Sequence, residues 1–319
     1  MQVSYSLASP AYVKQRLIDC YELPINTEVV ILHQGINDSY YVSTDQERYV
    51  LRIYRHQWKP MQDVAGELSF IRSLDDHQIA VAYPIADQEG NWIQSLYFPE
   101  GTRYMVLFSH ALGQPISRLE SHTAGLYGES LARIHQVSEK LTIPGLSKNY
   151  EPAAVFASTR SSLINRLGRE YVWLDGLMPI ERSLTSLLSD EVLSTLPQGI
   201  CHGDPHHENC YLHPQSGVLT FFDFDFCGPG YLHYDLGSFF RYERDRPEIK
   251  DSFLEGYVRI RPMSEVQIKL IPYFEVLMRV FHLGARTAHE DGQAKPLWPE
   301  REIERTLREI GEQVAGLDS

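Results

Sequence analysis

Apolar residues recur every fourth position from Val13 through Leu17 to Tyr21, directly after Ser9 and Pro10. A serine cap, a proline at the first helical position and this spacing predict an opening helix over residues 9–22. Three runs rich in Val, Ile, Tyr and Leu follow, Glu28 to Gln34, Tyr40 to Thr44 and Tyr49 to Tyr54. They are separated by Gly35-Ile36-Asn37-Asp38-Ser39 and Asp45-Gln46-Glu47, which is the punctuation of a three-stranded meander. Val64, Leu68, Ile71 and Leu74 then keep helical spacing, and two further extended runs lie at Asn91 to Phe98 and Arg103 to Ser109. The first hundred residues thus predict a mostly antiparallel sheet with one internal helix.

Beyond Ser109 the periods lengthen. Leu126, Leu131, Ile134 and Val137 mark a helix within Leu119 to Leu141, Tyr273 to Ala288 forms another apolar helix, and Pro299 to Val314 sets Ile303, Leu307, Ile310 and Val314 on one face. An extended region runs from Gly199 to Phe226 among these helices. With no internal repeat and no low-complexity linker, the pattern predicts an α+β protein of two lobes that meet near residues 105–110: an N-terminal lobe over 1–109 and a mainly helical lobe over 110–319. A chain of 319 residues normally divides its core in this way.

Charge narrows the chemistry. The formal net charge is −13 and no five or six basic residues stand together, which argues against nucleic-acid binding. An acidic surface suits a cationic acceptor such as an aminosugar or an amine, although solubility alone accounts for it. The start, MQVSYSLASPAYVKQRL, has no basic stretch leading into an apolar run, and no segment reaches the ~20 apolar residues of a membrane span. A cytoplasmic location without membrane partners is the expectation. Cys20, Cys201, Cys210 and Cys227 form no CxxC pair and are expected to be reduced, mostly buried thiols.

The chemistry concentrates between Gly199 and Phe239, in GICHGDPHHENCYLHPQSGVLTFFDFDFCGPGYLHYDLGSF. Asp204, Asn209, Asp223, Asp225 and Asp235 are interleaved there with runs that otherwise read as buried strands. Burying carboxylates beside such runs costs on the order of several kcal/mol unless a cation or hydrogen-bond donors compensate. A hard oxygen site for Mg2+ and a carboxylate able to take a proton from an acceptor hydroxyl are two of the things that phosphoryl transfer from ATP requires.

His202-Gly203-Asp204, followed five residues later by Asn209, then a turn, a hydrophobic strand and Asp223-Phe224-Asp225, resembles the catalytic segment of the aminoglycoside phosphotransferase and choline kinase superfamily. That resemblance implies a protein-kinase-like fold and ATP- and Mg2+-dependent transfer to a hydroxyl. It makes Asp204 the catalytic base, Asn209 and Asp223 the magnesium ligands, and Asp235 a brace for the catalytic loop beside His202. Asp225 either supports the metal site from behind or takes no part in it. Gly35, Asn37 and Ser39 fall where a nucleotide-covering loop belongs, although with one glycine an ordinary hairpin turn also accounts for them. Arg52 takes the place of the phosphate-binding lysine, with Glu67 as its ion-pair partner, and the stretch Val106 to Phe108 falls where a backbone hinge meets adenine.

The tail with Trp298 and Pro299, together with Tyr54-Arg55 and Trp58, is similar to the stress response kinase A branch, which phosphorylates protein Ser/Thr. Phe222-Asp223-Phe224-Asp225-Phe226-Cys227 is similar to the homoserine kinase branch. The two hints imply different acceptors, a protein for one and a small hydroxylated metabolite for the other, and the small molecule is the first choice. Two other classes compete. His202, His206, His207 and His213 with Asp204 and Asp223 suggest a metal-dependent hydrolase, against which Pro205 disfavours a helical HxxxH pair. A non-catalytic nucleotide-binding module would have no use for Asp204. His135 is expected to be a satisfied structural histidine, and Tyr231, Tyr234, Phe239 and Phe240 to be core.

Overall fold

A computed structural model describes residues 3–168, 173–288 and 299–317. Trp298, in the tail, lies outside the described residues. The chain forms two compact units, one holding residues up to 115 with the returning segments 142–146 and 210–222, the other holding 116–141, 147–209 and 223 onward.

The first unit opens with helix α1 (Pro10–Tyr21), capped by Ser9 Oγ, which accepts from the Tyr12 N–H. The meander follows as β1 (Glu28–Gln34), β2 (Asp38–Ser43) and β3 (Arg48–Ile53), then α2 (Met61–Asp76), β4 (Pro84–Ile85), β5 (Gln94–Phe98), β6 (Gly101–Ser109) and β7 (Gln114–Pro115). The sheet runs β1-β2-β3-β6-β4 with β5 also on β6, and these pairings are antiparallel. Val13 and Leu17 of α1 bury against Tyr40, Val42, Leu51, Ile53, Met105 and Leu107 of the sheet. The meander predicted from the sequence therefore has one face covered by α1, with the side chains of β2 alternating between buried and half-buried.

Strand β2 starts two residues earlier than the apolar pattern indicates, because its first side chain is a buried ion-pair partner. Asp38 is 1% exposed and accepts from Arg103 at 2.6 Å, while the Tyr5 hydroxyl bonds its other oxygen. Arg103 is itself 1% exposed and also donates to the carbonyls of Tyr54, Ser6 and Ile53. One guanidinium thus ties the N-terminal arm, β2, β3 and β6 together, with its donors satisfied inside the unit. Asp38 and Ser39 consequently belong to the ladder, and the turn between β1 and β2 shortens to residues 35–37.

The second unit is mostly helical: α3 (Ser121–Ser138), α4 (Pro152–Leu167), α5 (Trp173–Leu187) and α6 (Asp190–Leu193) precede strand β8 (Gln198–Cys201) and a 3-10 turn at His207–Asn209. The hairpin β9 (Cys210–Leu212) and β10 (Leu219–Phe221) belongs to the first unit, where β9 also pairs with β7. Strand β11 (Gly228–Tyr231) then pairs antiparallel with β8, and α7 (His233–Tyr242), α8 (Pro247–Ile260), α9 (Glu265–Ala288) and α10 (Glu300–Leu317) complete the unit.

Helix α9 begins eight residues before the expected Tyr273 and passes through Pro272. The missing hydrogen bond at the proline is outweighed by packing, since most of the helix from Leu270 to Leu283 is buried. Ile303, Leu307, Ile310 and Val314 bury one face of α10 in the same core, as their spacing predicts. Tyr231, Tyr234 and Phe239 are buried, while Phe240 is half-buried. The four thiols are free, and all but Cys20 are buried. No helix among the described residues is long and apolar enough to cross a membrane.

Replacing Arg103 by Leu leaves the Asp38 carboxylate buried without its cation, so we expect a loss of about 3–5 kcal/mol in unfolding free energy. Denaturant titration of the Arg103→Leu chain measures it, and a midpoint matching wild type would contradict the role given to this guanidinium.

Candidate active site

The loop between β8 and the 3-10 turn carries His202, Gly203 and Asp204 at its apex, and its shape is dictated by a buried carboxylate. Asp235, in the first turn of α7, is fully buried and accepts the backbone N–H of His202 at 2.7 Å and of Gly203 at 2.9 Å. It also lies 3.0 Å from His135 Nε2. Burial raises the Tyr257 phenol, so its O–H stays protonated and donates to His135 Nδ1 at 2.7 Å, leaving the Nε2 proton for Asp235. Asp235 is therefore satisfied by three donors, and His135 has the structural role its position suggested.

Gly203 adopts φ +89°, and a Cβ there would lie 2.2 Å from the Phe226 carbonyl oxygen. Only glycine fits this turn. The His202 ring is fully buried and packs on Phe224 at 4.3 Å, and burial lowers its pKa so that it remains neutral. Its Nδ1 accepts the Asp204 N–H at 3.4 Å.

Asp204 emerges from this scaffold with its carboxylate between three side chains. The Tyr242 hydroxyl donates to Oδ1 at 2.8 Å, His206 Nε2 is 3.5 Å from Oδ2, and His282 Nε2 is 3.8 Å from Oδ1. Burial by itself pushes this carboxyl up, but the hydrogen bonds from His206 and Tyr242 and the neighbouring imidazoles outweigh it and bring it down to about 2. His282 is desolvated, which drops it to about 4, with Arg241 and Arg286 opposing its protonation further. At neutral pH it is thus an uncharged ring, and the ionised state of Asp204 rests on His206 and Tyr242. The His206 ring in turn lies against Tyr242 at 4.4 Å.

Asn209 closes the loop: its Nδ2 donates to the Asp204 carbonyl at 3.0 Å, which turns its amide oxygen to the other side. Asp223 sits at φ +63°, a left-handed conformation that a non-glycine residue holds only when its surroundings impose it. Asp225 is 3% exposed. Asn209 and Asp223 together offer hard oxygen donors of the kind that Mg2+ takes when phosphates complete its shell, and so fit that ion. Among the described residues no three His, Cys, Asp or Glu side chains form a metal cluster.

In the first unit, the turn residues Gly35 and Asn37 are held by their neighbours. Gly35 N–H bonds the Asn37 carbonyl at 3.1 Å, Asn37 Oδ1 accepts the Arg55 N–H at 3.1 Å, and Arg55 reaches the Gly35 carbonyl at 3.3 Å. Ser39, expected in the turn, is instead registered with His33 and Arg52 inside the ladder. Arg52 projects from β3 and meets Glu67 of α2 at 3.5 Å, the expected pair. A second cation, Lys59, lies nearer to Glu67 at 2.7 Å and is 3% exposed, and the Tyr54 hydroxyl bonds the same carboxylate.

In the expected hinge stretch, Val106 is registered with Arg52, and Phe108 with Val50 on one side and Pro84 on the other. Chain outside the ladder resumes only after Ser109, whose N–H bonds the Tyr83 carbonyl.

Sequence reasoning does not reach Lys59, Tyr242 or His282. The last two arrive from α7 and α9, where each reads as an ordinary member of an amphipathic helix.

Residues 28–266 match the family model described as phosphotransferase enzyme family, and the chain belongs to that family. Among individual proteins, an uncharacterised Synechocystis protein, sll1119, is 29% identical over 271 residues, covering 82% of this chain and 74% of its own. A homoserine kinase of Polaromonas naphthalenivorans is 26% identical over 252 residues, covering 74% of this chain and 73% of its own. The solved structure of the amicoumacin kinase hAmiN, in complex with AMP-PNP, Ca2+ and Ami, superposes with a TM-score of 0.77 at 18% identity over 96% of this chain and 94% of the other. The fold is the protein-kinase-like fold of these enzymes.

Truncating Asp235 to Ala strands two buried N–H groups and the His135 proton at once. The expected cost is about 3–5 kcal/mol, measured by thermal or denaturant unfolding of Asp235→Ala. A wild-type midpoint would show that the loop holds its shape without this clamp.

Proposed function

We propose that this chain transfers the γ-phosphoryl group of ATP to a hydroxyl of a small molecule. The observation that carries the reading is the ionised Asp204 carboxylate, presented by a clamped loop and hydrogen-bonded by Tyr242, with Asn209 fastened to the same loop. A carboxylate fixed at this point takes the hydroxyl proton as the acceptor oxygen bonds to Pγ and the bond from Pγ to the β-phosphate oxygen breaks, releasing ADP. Mg2+, when bound, supplies charge neutralisation at the β- and γ-phosphates, and Asn209 and Asp223 are the residues that would hold it. Asp225 is assigned to support behind Asp223.

In the first unit, Arg52, anchored by Glu67, is assigned to the nucleotide phosphates, and Lys59 on the same carboxylate is a second candidate. Gly35, Asn37 and, at the start of β2, Ser39 are assigned to covering the nucleotide, and the stretch Val106 to Phe108 to the adenine side. Support for the small-molecule acceptor comes from family membership and from the presence of a homoserine kinase and an amicoumacin kinase among similar proteins. The complex of the latter with AMP-PNP and Ca2+ supports a nucleotide with a divalent cation.

Asp204→Asn is expected to keep Mg-ATP binding while lowering turnover by roughly 10²-fold or more. Asp223→Ala is expected to weaken nucleotide binding in magnesium and leave metal-free binding little changed. Titration calorimetry of Mg-ATP together with ADP release separates the two. Normal turnover in Asp204→Asn, or normal Mg-ATP affinity in Asp223→Ala, would contradict the respective assignment.

A further inference from the structure

A cavity of about 390 Å³ is lined by Arg241, Tyr242, Arg244, Glu275, Arg279 and Arg286. Its volume suits a metabolite-sized ligand. Tyr242 is the physical link, since it lines the cavity and its hydroxyl donates to the Asp204 carboxylate. The lining comes from the end of α7 and from one stripe of α9. On that stripe Glu275, Arg279, His282 and Arg286 follow one another at three- and four-residue steps, and His282 is the ring beside Asp204.

This lining is opposite in sign to the molecule as a whole. A chain of net charge −13 brings four guanidinium groups and one carboxylate to a single cavity. The carboxylate, Glu275, is already engaged by Gln313 and by Lys250. Arg279, 9% exposed, is held by Glu309 at 3.0 Å and Gln313 at 2.6 Å. Arg241 stacks on the Tyr242 ring at 5.3 Å, and neither it nor Arg244 forms an ion pair among the described residues. Burial together with the neighbouring Arg244 and Arg241 makes Arg279 harder to keep charged, with Glu309 and Glu275 opposing them. Guanidinium groups at such a site match carboxylate and phosphate oxygens in geometry as well as charge.

We propose that the phosphoryl acceptor is a hydroxylated metabolite of net negative charge, carrying a carboxylate or phosphate that sits among Arg241, Arg244, Arg279 and Arg286 while its hydroxyl faces Asp204. The proposal rests on the phosphotransferase reading above. It runs against an aminoglycoside, an amino alcohol or a zwitterionic amino acid, whose ammonium groups would meet the arginines. The acceptor hydroxyl passes its proton to Asp204, its oxygen bonds to Pγ, and ADP leaves as the bond from Pγ to the β-phosphate oxygen breaks.

The test begins with the small-molecule pool of a cell extract from the source organism, divided at neutral pH into anion-exchanger-bound, cation-exchanger-bound and unretained fractions. Each is incubated with γ-labelled ATP, Mg2+ and either wild type or Asp204→Asn. The expected result is Asp204-dependent label from the anionic fraction, with a KM for that fraction that rises with ionic strength. Arg244→Gln and Arg286→Gln, both at exposed positions, are then expected to raise that KM by about tenfold or more, with the melting temperature and the KM for Mg-ATP unchanged. Treatment of the anionic fraction with phosphatase distinguishes a phosphate-bearing acceptor from a carboxylate.

Asp204-dependent label arising only from the cationic or unretained fraction, or only on protein, would overturn the anionic assignment while leaving phosphotransfer in place. So would a KM indifferent to both arginine variants. No Asp204-dependent label from any source, with Mg-ATP bound, would instead remove the phosphotransferase reading on which the assignment stands.

Discussion

Everything at the candidate site depends on one buried carboxylate meeting two consecutive backbone N–H groups. Asp235 takes up the donors of His202 and Gly203, and in doing so fixes the direction in which Asp204 leaves the loop. A loop apex satisfied this way needs no water inside and has little freedom to rotate. His135 and Tyr257 extend the arrangement by fixing the orientation of the Asp235 side chain. The backbone around it conforms to the same constraint: Gly203 must be glycine because the Phe226 carbonyl occupies the space of a side chain.

From that anchor the division of labour between carboxylates follows. Asp235 is fully buried and spends its oxygens on the protein, whereas Asp204 keeps a solvent-reachable carboxylate whose charge is maintained by His206 and Tyr242. Asp223 is set by an unfavourable backbone angle rather than by a strand. Residues of one type, within one short stretch, thus have three environments, and the proposed roles of brace, proton acceptor and metal ligand are divided among them accordingly.

Much of this was legible in the sequence because the segment from His202 to Asp225 is contiguous, and acids interrupting apolar runs demand a reason. The meander and the opening helix were legible for a similar cause: each buries a regular stripe against a single sheet face. What escaped was long-range. Asp38 reads as a turn residue until Arg103, far along the chain, is seen to need a buried partner. Lys59 competes for Glu67 from outside any regular element. Tyr242, His282 and the arginines of α7 and α9 give no local signal, because a polar stripe on a helix looks the same whether it faces solvent or an acceptor. Net charge is uninformative for a related reason, since a sum over the surface says nothing of the sign inside one cavity.

The central claim is that Asp204 accepts a proton from a hydroxyl that receives phosphate from ATP. Its most direct measurement is the transfer of label from γ-labelled ATP into a whole extract, with wild type and Asp204→Asn side by side and products separated by size. Label in the low-mass fraction that disappears with Asp204→Asn is the result expected here. Equal labelling by both proteins, or none by wild type while it binds Mg-ATP, would contradict the account.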